Sequence, residues 1–221
     1  YFKIIKNQCV FWLLFVSFFN LNCSAKDDPL FQPLQEAYSY SWEEKGIFAD
    51  YIKETKRFIR KTRYYVDPEK KDFEIDINSP FEMKPNPQYC KSIEKPKKGI
   101  LLIHGLGDSP FSMRDVASWL SKRCYLVRTI LLPGHGSRPG ETLRFSAKDW
   151  YRVSRFALKT LKKDVKEVYA GGFSTGANIS TFLAYEDLDI KGLILFSPAF
   201  SLKYQYPNLV AFVNLFTNYL F

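Results

Sequence analysis

The sequence predicts an α/β fold, a mostly parallel sheet with helices on both faces, on three observations. Short continuous apolar runs, Gly99–Ile103 and Gly192–Ser197 among them, have the character of parallel strands covered on both sides. These runs alternate along the chain with segments whose apolar residues recur at helical spacing, the pattern of a parallel sheet. The 221 residues, 46% of them hydrophobic, suffice for one sizeable core and are too few for two comfortable domains.

Residues 1–25 read as a secretory signal. Lys3 and Lys6 make a basic start, Val10–Phe19 is an apolar stretch broken only by Ser17, and Cys23-Ser-Ala25 offers small residues at cleavage-site spacing. The stretch is short for a bilayer span. An uncleaved anchor and a lipoprotein-type lipidated Cys23 stand as alternatives, and each leads to an exported location: periplasmic, secreted or membrane-anchored. The chain begins at Tyr1 with no methionine, so its N-terminus reads as incomplete.

Residues 26–96 read as an N-terminal extension. Asp27–Glu44 is a polar, proline-containing lead-in. Ile47–Tyr65 predicts a helix with Phe48, Tyr51, Ile52, Thr55, Phe58 and Ile59 on one face and bases on the other. Such a helix can lie on a membrane surface; packing on its own domain is the preferred reading. Phe73, Ile75 and Ile77 alternate with polar residues, which predicts a half-exposed edge strand. Ser79–Pro96 holds four prolines and reads as loop.

From residue 97 the alternation begins. Gly99–Ile103 is a strand, and Ser112–Lys122 a helix with Met113, Val116, Ala117 and Leu120 inward. Tyr125–Leu132 is a strand ended by Pro133-Gly134, and Ala147–Val165 a long helix carrying Trp150, Val153, Ala157, Leu161 and Val165 at helical spacing. Glu167–Gly171, Thr175–Glu186 and Gly192–Ser197 follow as strand, helix and strand. Tyr204–Phe221 again has apolar residues at helical spacing, and residues 202–221 read as the start of a cap.

The net charge of +9 becomes +7 without Lys3 and Lys6, the only charges in residues 1–25, and much of the excess lies between Lys53 and Lys98. An anionic membrane surface or nucleic acid would suit such a charge. No nucleic-acid motif accompanies it, so a solvated basic face is the preferred reading and nucleic acid is not an expected partner. Cys90 and Cys124 would meet oxidising conditions after export, where a disulfide is permitted; two buried thiols are the alternative.

Gly172-Phe-Ser-Thr-Gly176 joins a predicted strand to a predicted helix, the setting of a serine nucleophile on a sharp turn. Gly172 and Gly176 give that turn room. The Thr175 N–H opens the helix and faces developing negative charge. A second turn, His104-Gly-Leu-Gly107, follows the strand Gly99–Ile103 and meets the same crevice, where its glycines (Gly105 and Gly107) let backbone N–H groups turn toward a substrate oxygen. A serine needs a base, usually a histidine. Only His104 and His135 exist, both precede Ser174, and each sits in a tight turn that favours a structural role. With Asp108 they lack a metal-ligand spacing, so no metal is expected.

The blocks His104-Gly-Leu-Gly107, Leu132-Pro-Gly-His-Gly136, Gly172-Phe-Ser-Thr-Gly176 and Gly192-Leu-Ile-Leu-Phe-Ser-Pro198, in that order, resemble the α/β-hydrolase superfamily. Within it they are similar to bacterial esterases, monoacylglycerol lipases and lysophospholipase-like proteins, also grouped with the serine aminopeptidases. The resemblance covers about residues 97–200. It implies Ser174 as nucleophile and the N–H groups of Leu106 and Thr175 as oxyanion donors. It further implies an acid and then a histidine later in the chain. Neither is present: after Asp189 there is no Asp, Glu or His. The expectation is therefore a C-terminally truncated serine hydrolase acting on carboxylic esters or lipid-like substrates through an acyl-enzyme, without a cofactor. Peripheral membrane association fits that substrate class. The 221 residues alone are expected to be inactive. An inactive binding or scaffold protein on the same core is the alternative; within enzymes the same fold serves thioesterases, peptidases and acyltransferases.

Overall fold

Gly99 to Ile103 offers no polar side chain to water, and it forms the centre of the sheet. The computed structural model describes residues 29–34, 46–65, 67–91 and 96–200. The Val10–Phe19 stretch, Cys23 and the Tyr204–Phe221 segment lie outside the described residues. In chain order the helices are α1 (Phe48–Thr62), α2 (Lys71–Asn78), α3 (Arg114–Ser121), α4 (Ala147–Asp164) and α5 (Thr175–Glu186). The strands are β1 (Glu82–Met83), β2 (Lys98–Ile103), β3 (Tyr125–Ile130), β4 (Glu167–Phe173) and β5 (Ile190–Phe196).

The sheet order is β1-β3-β2-β4-β5, with β1 antiparallel to β3 and every other pair parallel. Alternate residues of β2 feed opposite faces, as strand geometry requires. Leu101 and Ile103 pack with α4 (Trp150, Val153, Ala157, Leu161), α1 (Phe48, Tyr51) and α5 (Ile179, Leu183). Ile100 and Leu102 pack with Met113, Ala117 and Leu120 at α3. Helices thus cover both faces, and the predicted fold class holds. α4 forms because its apolar residues recur every three or four positions, and Asp149 in its first turn takes the Ser146 N–H at 2.9 Å.

Two expectations fail here. Residues 73–77 are not an edge strand but lie within helix α2. The buried residues are Ile75, Asn78 and Ser79, a helical spacing, while Phe73 is exposed. Pro68 opens a 3-10 turn whose Asp67 carboxylate accepts the Glu69 N–H, and Asp72 and Glu74 sit in the first helical turn where the dipole favours acids. The bases of α1 also meet the acids of α2: Lys56–Asp76 at 3.3 Å, Arg60–Asp72 at 3.0 Å and Arg63–Glu74 at 2.8 Å. An alternating pattern in so polar a segment buries too little to hold a strand. The second failure is in the loop Ser79–Pro96, which contains β1. Its neighbour Phe81 exchanges bonds with Thr129: the Phe81 N–H donates to Thr129 Oγ1 and the Thr129 N–H to the Phe81 carbonyl. Smaller differences are of extent: α3 is preceded by a 3-10 turn from Pro110, β3 stops at Ile130, and β4 and β5 extend to Phe173 and back to Ile190.

Cys90 and Cys124 form a disulfide at the amino end of β3, tying the chain after β1 to the α3–β3 turn. It lies at the opposite edge of the sheet from Ser174, which follows the carboxyl end of β4.

Arg128 on β3 is a buried charge beside the core. Its guanidinium bonds Glu82 of β1 at 2.7 Å, Asp164 of α4 at 2.5 Å and the Thr160 hydroxyl at 3.2 Å, and it stacks on Phe48 of α1. One side chain thereby joins four elements. Removing one partner of a buried pair leaves charge uncompensated. Arg128→Leu is expected to cost about 3 kcal/mol, the low end for such a pair because both carboxylates keep contact with water. Asp164→Asn, which leaves Glu82 in place, should cost less than about 1.5 kcal/mol. Urea unfolding of the two variants checks the difference.

Candidate active site

β4 runs beside β2 with Ile103 opposite Gly172, so the turn after β4 lands on the end of β2. A Cβ on Gly172 would meet the Gly176 carbonyl carbon at 2.6 Å, and one on Gly176 would meet the His104 carbonyl oxygen at 2.6 Å. Both contacts are with backbone, which cannot move aside, so glycine is required at each position. Between them Ser174 takes φ 51° and ψ −113°, a conformation a side chain rarely adopts and one that costs on the order of 1–3 kcal/mol. Backbone bonds hold it there. The Ser174 N–H donates to the Phe196 carbonyl of β5 at 2.9 Å, and the Ser174 carbonyl accepts from Ala177 and Asn178 of α5. Thr175 is the first residue of α5, where N–H groups have no intrahelical acceptor and the dipole is positive.

The turn after β2 lies against the same edge. His104 is fully buried; its Nε2 accepts the Leu132 N–H at 3.0 Å and its Nδ1 lies 2.7 Å from the Gly105 carbonyl. With Nε2 accepting, the proton is assigned to Nδ1, which donates to Gly105. Gly107 has φ +68°, and its N–H donates to Nε2 of His135 at 3.1 Å. The His135 Nδ1 faces the Pro133 carbonyl at 3.3 Å, and the two imidazoles meet edge to face. Asp108 closes the turn: its carboxylate accepts from the Ser109 N–H at 2.7 Å, the Ser112 hydroxyl at 2.6 Å and the Gly105 N–H at 3.4 Å. The structure therefore brings His104, Gly105, Leu106, Gly107, Gly172, Ser174, Thr175 and Gly176 to one edge of the sheet, where β2 meets β4.

Burial sets the charge of both histidines. It pushes His104 down to about 3, with His135 adding to the depression and the Gly105 bond opposing it. Burial also lowers His135, against the opposing Pro133 and Leu132 carbonyls and Asp108. Both rings are neutral near pH 7. Among the described residues, no three His, Cys, Asp or Glu side chains converge as metal ligands.

Three supports were not legible in the sequence. Asn178 of α5 exchanges two bonds with the Ala199 backbone, at 3.1 and 3.0 Å, and pins the chain after β5 to the Ser174 turn. The Tyr51 hydroxyl of α1 takes the Leu131 N–H at 2.9 Å, and Trp150 of α4 donates to the Pro133 carbonyl at 2.8 Å. Each looks like an ordinary core or surface position along the sequence, and its partner is distant in the chain. A cleft of about 440 Å³ opens beside the turn after β2, lined among others by Arg63, Asp108, Ser109, His135 and Arg138; Ser174 is not among its lining residues. The exposed rings of Phe173 and Phe196 flank the Ser174 backbone instead.

Comparison with known proteins agrees with this fold. Residues 94–221 match the family described as serine aminopeptidase, S33. Over 96 residues the chain is 31% identical to the thermostable monoacylglycerol lipase of Bacillus sp. (strain H-257), covering 43% of this chain and 38% of that protein. Over 98 residues it is 30% identical to a carboxylesterase of Bacillus subtilis (strain 168), covering 44% of this chain and 39% of that one. A solved structure from work on two metagenome-derived lipolytic enzymes, LipS and LipT, superposes with a TM-score of 0.53 at 25% identity, over 61% of this chain and 51% of that one. The chain spans about two fifths of the length of the curated relatives it matches.

The buried neutral histidines have a consequence for stability. Unfolded, His104 takes a proton near pH 6.5; folded, only near 3. Between those values the unfolded chain binds more protons, so stability is complete above about pH 6.5 and falls as the pH drops. The loss from His104 between pH 7 and 5 is expected to be about 2 kcal/mol, with His135 adding to it. Asp67 and Asp76, whose folded values lie below the ordinary carboxylate range, act only nearer pH 4 and below. Urea midpoints at pH 7, 6 and 5 measure the slope.

Proposed function

The chain belongs to the serine aminopeptidase S33 family of α/β-hydrolases, an esterase- and lipase-like group, and on that basis we propose that Ser174 is the nucleophile of a carboxylic ester hydrolase. The observation that carries the proposal is the backbone of Ser174, held at φ 51° on the carboxyl edge of the sheet, between the end of β4 and the first turn of α5 and against the end of β2. In the proposed reaction the Ser174 hydroxyl loses its proton to a base and adds to the ester carbonyl carbon. The Leu106 and Thr175 N–H groups bind the oxyanion, each worth about 3 kcal/mol in the transition state. Collapse expels the alcohol and leaves an acyl-serine, which water then cleaves by the same path.

Neither histidine of this chain suits the base. His104 uses both ring nitrogens on buried backbone, and the His135 Nε2 is taken by Gly107. The proposal therefore places the base and its orienting acid outside these 221 residues, in the chain order Ser, acid, His. Ester or lipid-like substrates are supported by the relatives and by the exposed Phe173, Phe196 and Phe200 near the turn. Export belongs to the same proposal, supported by the Cys90–Cys124 disulfide, which persists in oxidising compartments.

Hydrolysis of p-nitrophenyl butyrate by two proteins tests this reading: the 221-residue chain and the longest product of its reading frame. The shorter chain should show no turnover above buffer. The longer product should be active and should lose at least about 10⁴-fold in kcat on Ser174→Ala. A Ser174→Ala protein that keeps its rate overturns the proposal. A longer product that is inactive and is not labelled at Ser174 by a fluorophosphonate favours the inactive binding-protein reading.

A further inference from the structure

The cleft of about 440 Å³ beside the turn after β2 is walled in part by bare backbone. Gly107, Gly134 and Gly136 line it, each with positive φ, at +68°, +86° and +79°. A Cβ on Gly107 would meet nothing within 4 Å, so that stretch of wall is open space beside exposed main chain. Backbone without side chains lets a ligand come close.

The charges at the cleft do not cancel. Arg63 is spent: its Nε donates to Glu74 at 2.8 Å and its Nη1 to the Gly136 carbonyl at 2.9 Å. The Asp108 carboxylate is spent as well, on the Ser109 and Gly105 N–H groups and the Ser112 hydroxyl. His135 is neutral. Arg138 is different. Among the described residues no carboxylate pairs with it; Nη1 reaches the Pro29 carbonyl at 3.4 Å, Nη2 makes no bond, and Nε is buried without a partner. A guanidinium does not give up its proton, so the cleft keeps one uncompensated positive charge.

The residue before it adds a donor. Ser137 is 5% exposed, and its hydroxyl is also buried without a partner. Native proteins leave few such groups, and here two fall on adjacent residues of one cleft wall. Both can donate, and one belongs to a cation. A carboxylate or phosphate supplies the acceptors and the charge that they lack. The cleft is also near the proposed nucleophile. Gly107 and Asp108 line it, while the His104 carbonyl of the same turn lies against Gly176.

We propose that this cleft is an anion subsite, in which Arg138 and Ser137 take the carboxylate or phosphate of an ester substrate. The inference rests on the reading of Ser174 as nucleophile, and it narrows the substrates to esters that carry a negative group.

Two matched substrate pairs test it in the longest product of the reading frame. The p-nitrophenyl hemiester of glutarate is p-nitrophenyl butyrate with a carboxylate at the end of the acyl chain. Butyrylglycerol 3-phosphate is butyrylglycerol with the charge on the alcohol side. In at least one pair kcat/KM is expected to favour the anion by about tenfold, and the pair that does so tells which side of the ester enters the cleft. Arg138→Gln should remove that preference, and Ser137→Ala should reduce it by about threefold. The ratio within a pair cancels general damage to the enzyme. No preference in either pair, or a preference that survives Arg138→Gln, overturns the inference.

A second measurement needs no turnover. Inorganic phosphate added to the ¹⁵N-labelled Ser174→Ala protein should shift the Arg138 Nε–H and the Ser137 and Gly107 amides, and chloride at equal ionic strength should not. No such shift overturns the subsite whatever the role of Ser174. A Ser174→Ala protein that keeps its rate overturns the hydrolase reading instead, and the phosphate titration still decides whether the cleft binds an anion.

Discussion

The close approach of two backbones is the constraint on which the rest of the site depends. The turn after β4 rests on the last residues of β2 with no side chain between them, and Gly172 and Gly176 are what make that distance attainable. Because the contact is backbone on backbone, the start of α5 and the turn after β2 are locked in a fixed relation. A Cβ at either glycine would push them apart. The strain at Ser174 has the same origin. The chain has to leave β4, clear the end of β2 and start a helix within three residues, and φ 51° is the backbone that does so. Its cost is met by the bonds to Phe196, Ala177 and Asn178 and by the apolar core beneath α4 and α5.

Around that contact the protein spends its few buried polar groups on backbone. His104, His135, Tyr51 and Trp150 each bond main-chain atoms of the turns that follow β2 and β3. Loops at the end of a parallel sheet leave backbone groups without ladder partners, and a buried orphan N–H or carbonyl costs about 1–3 kcal/mol. Neutral aromatic side chains with one polar atom satisfy those groups while filling apolar space. Arg128 instead joins side chains, on the far edge, where Glu82 and Asp164 remain close to water and the desolvation penalty is smaller.

What the sequence made legible follows from how local each signal is. β2, β4 and α5 were readable because a continuous apolar run or a three-to-four-residue recurrence is written in adjacent residues. The Ser174 turn was readable because glycine is demanded at fixed offsets from the serine. Residues 71–78 misled because alternation and helical spacing share Ile75, and the deciding partners, Lys56, Arg60 and Arg63, belong to another helix. β1 was invisible because two residues carry no period at all; its bonds to β3 make it a strand. The tight turns around the histidines suggested structural roles, yet nothing local indicated which backbone atoms they bind. Leu132 and Gly107 each lie 28 residues from their imidazole.

The same bonds separate the two halves of the proposed chemistry. A general base works best with a value near the operating pH. Burial holds His104 near 3, so protonating it at pH 7 would cost about 5 kcal/mol, before counting the Leu132 bond that a proton on Nε2 would break. A ring that holds two backbone groups through both its nitrogens is thereby disqualified from carrying protons, since the first task requires a fixed neutral tautomer and the second requires exchange between two charge states. His135 is subject to the same conflict through Gly107. An imidazole that serves Ser174 as base must then be a third one, less buried and with one ring nitrogen turned to the hydroxyl. Rigid support of backbone and mobile proton transfer ask for opposite environments, and an imidazole that serves the first from the core is unsuited to the second.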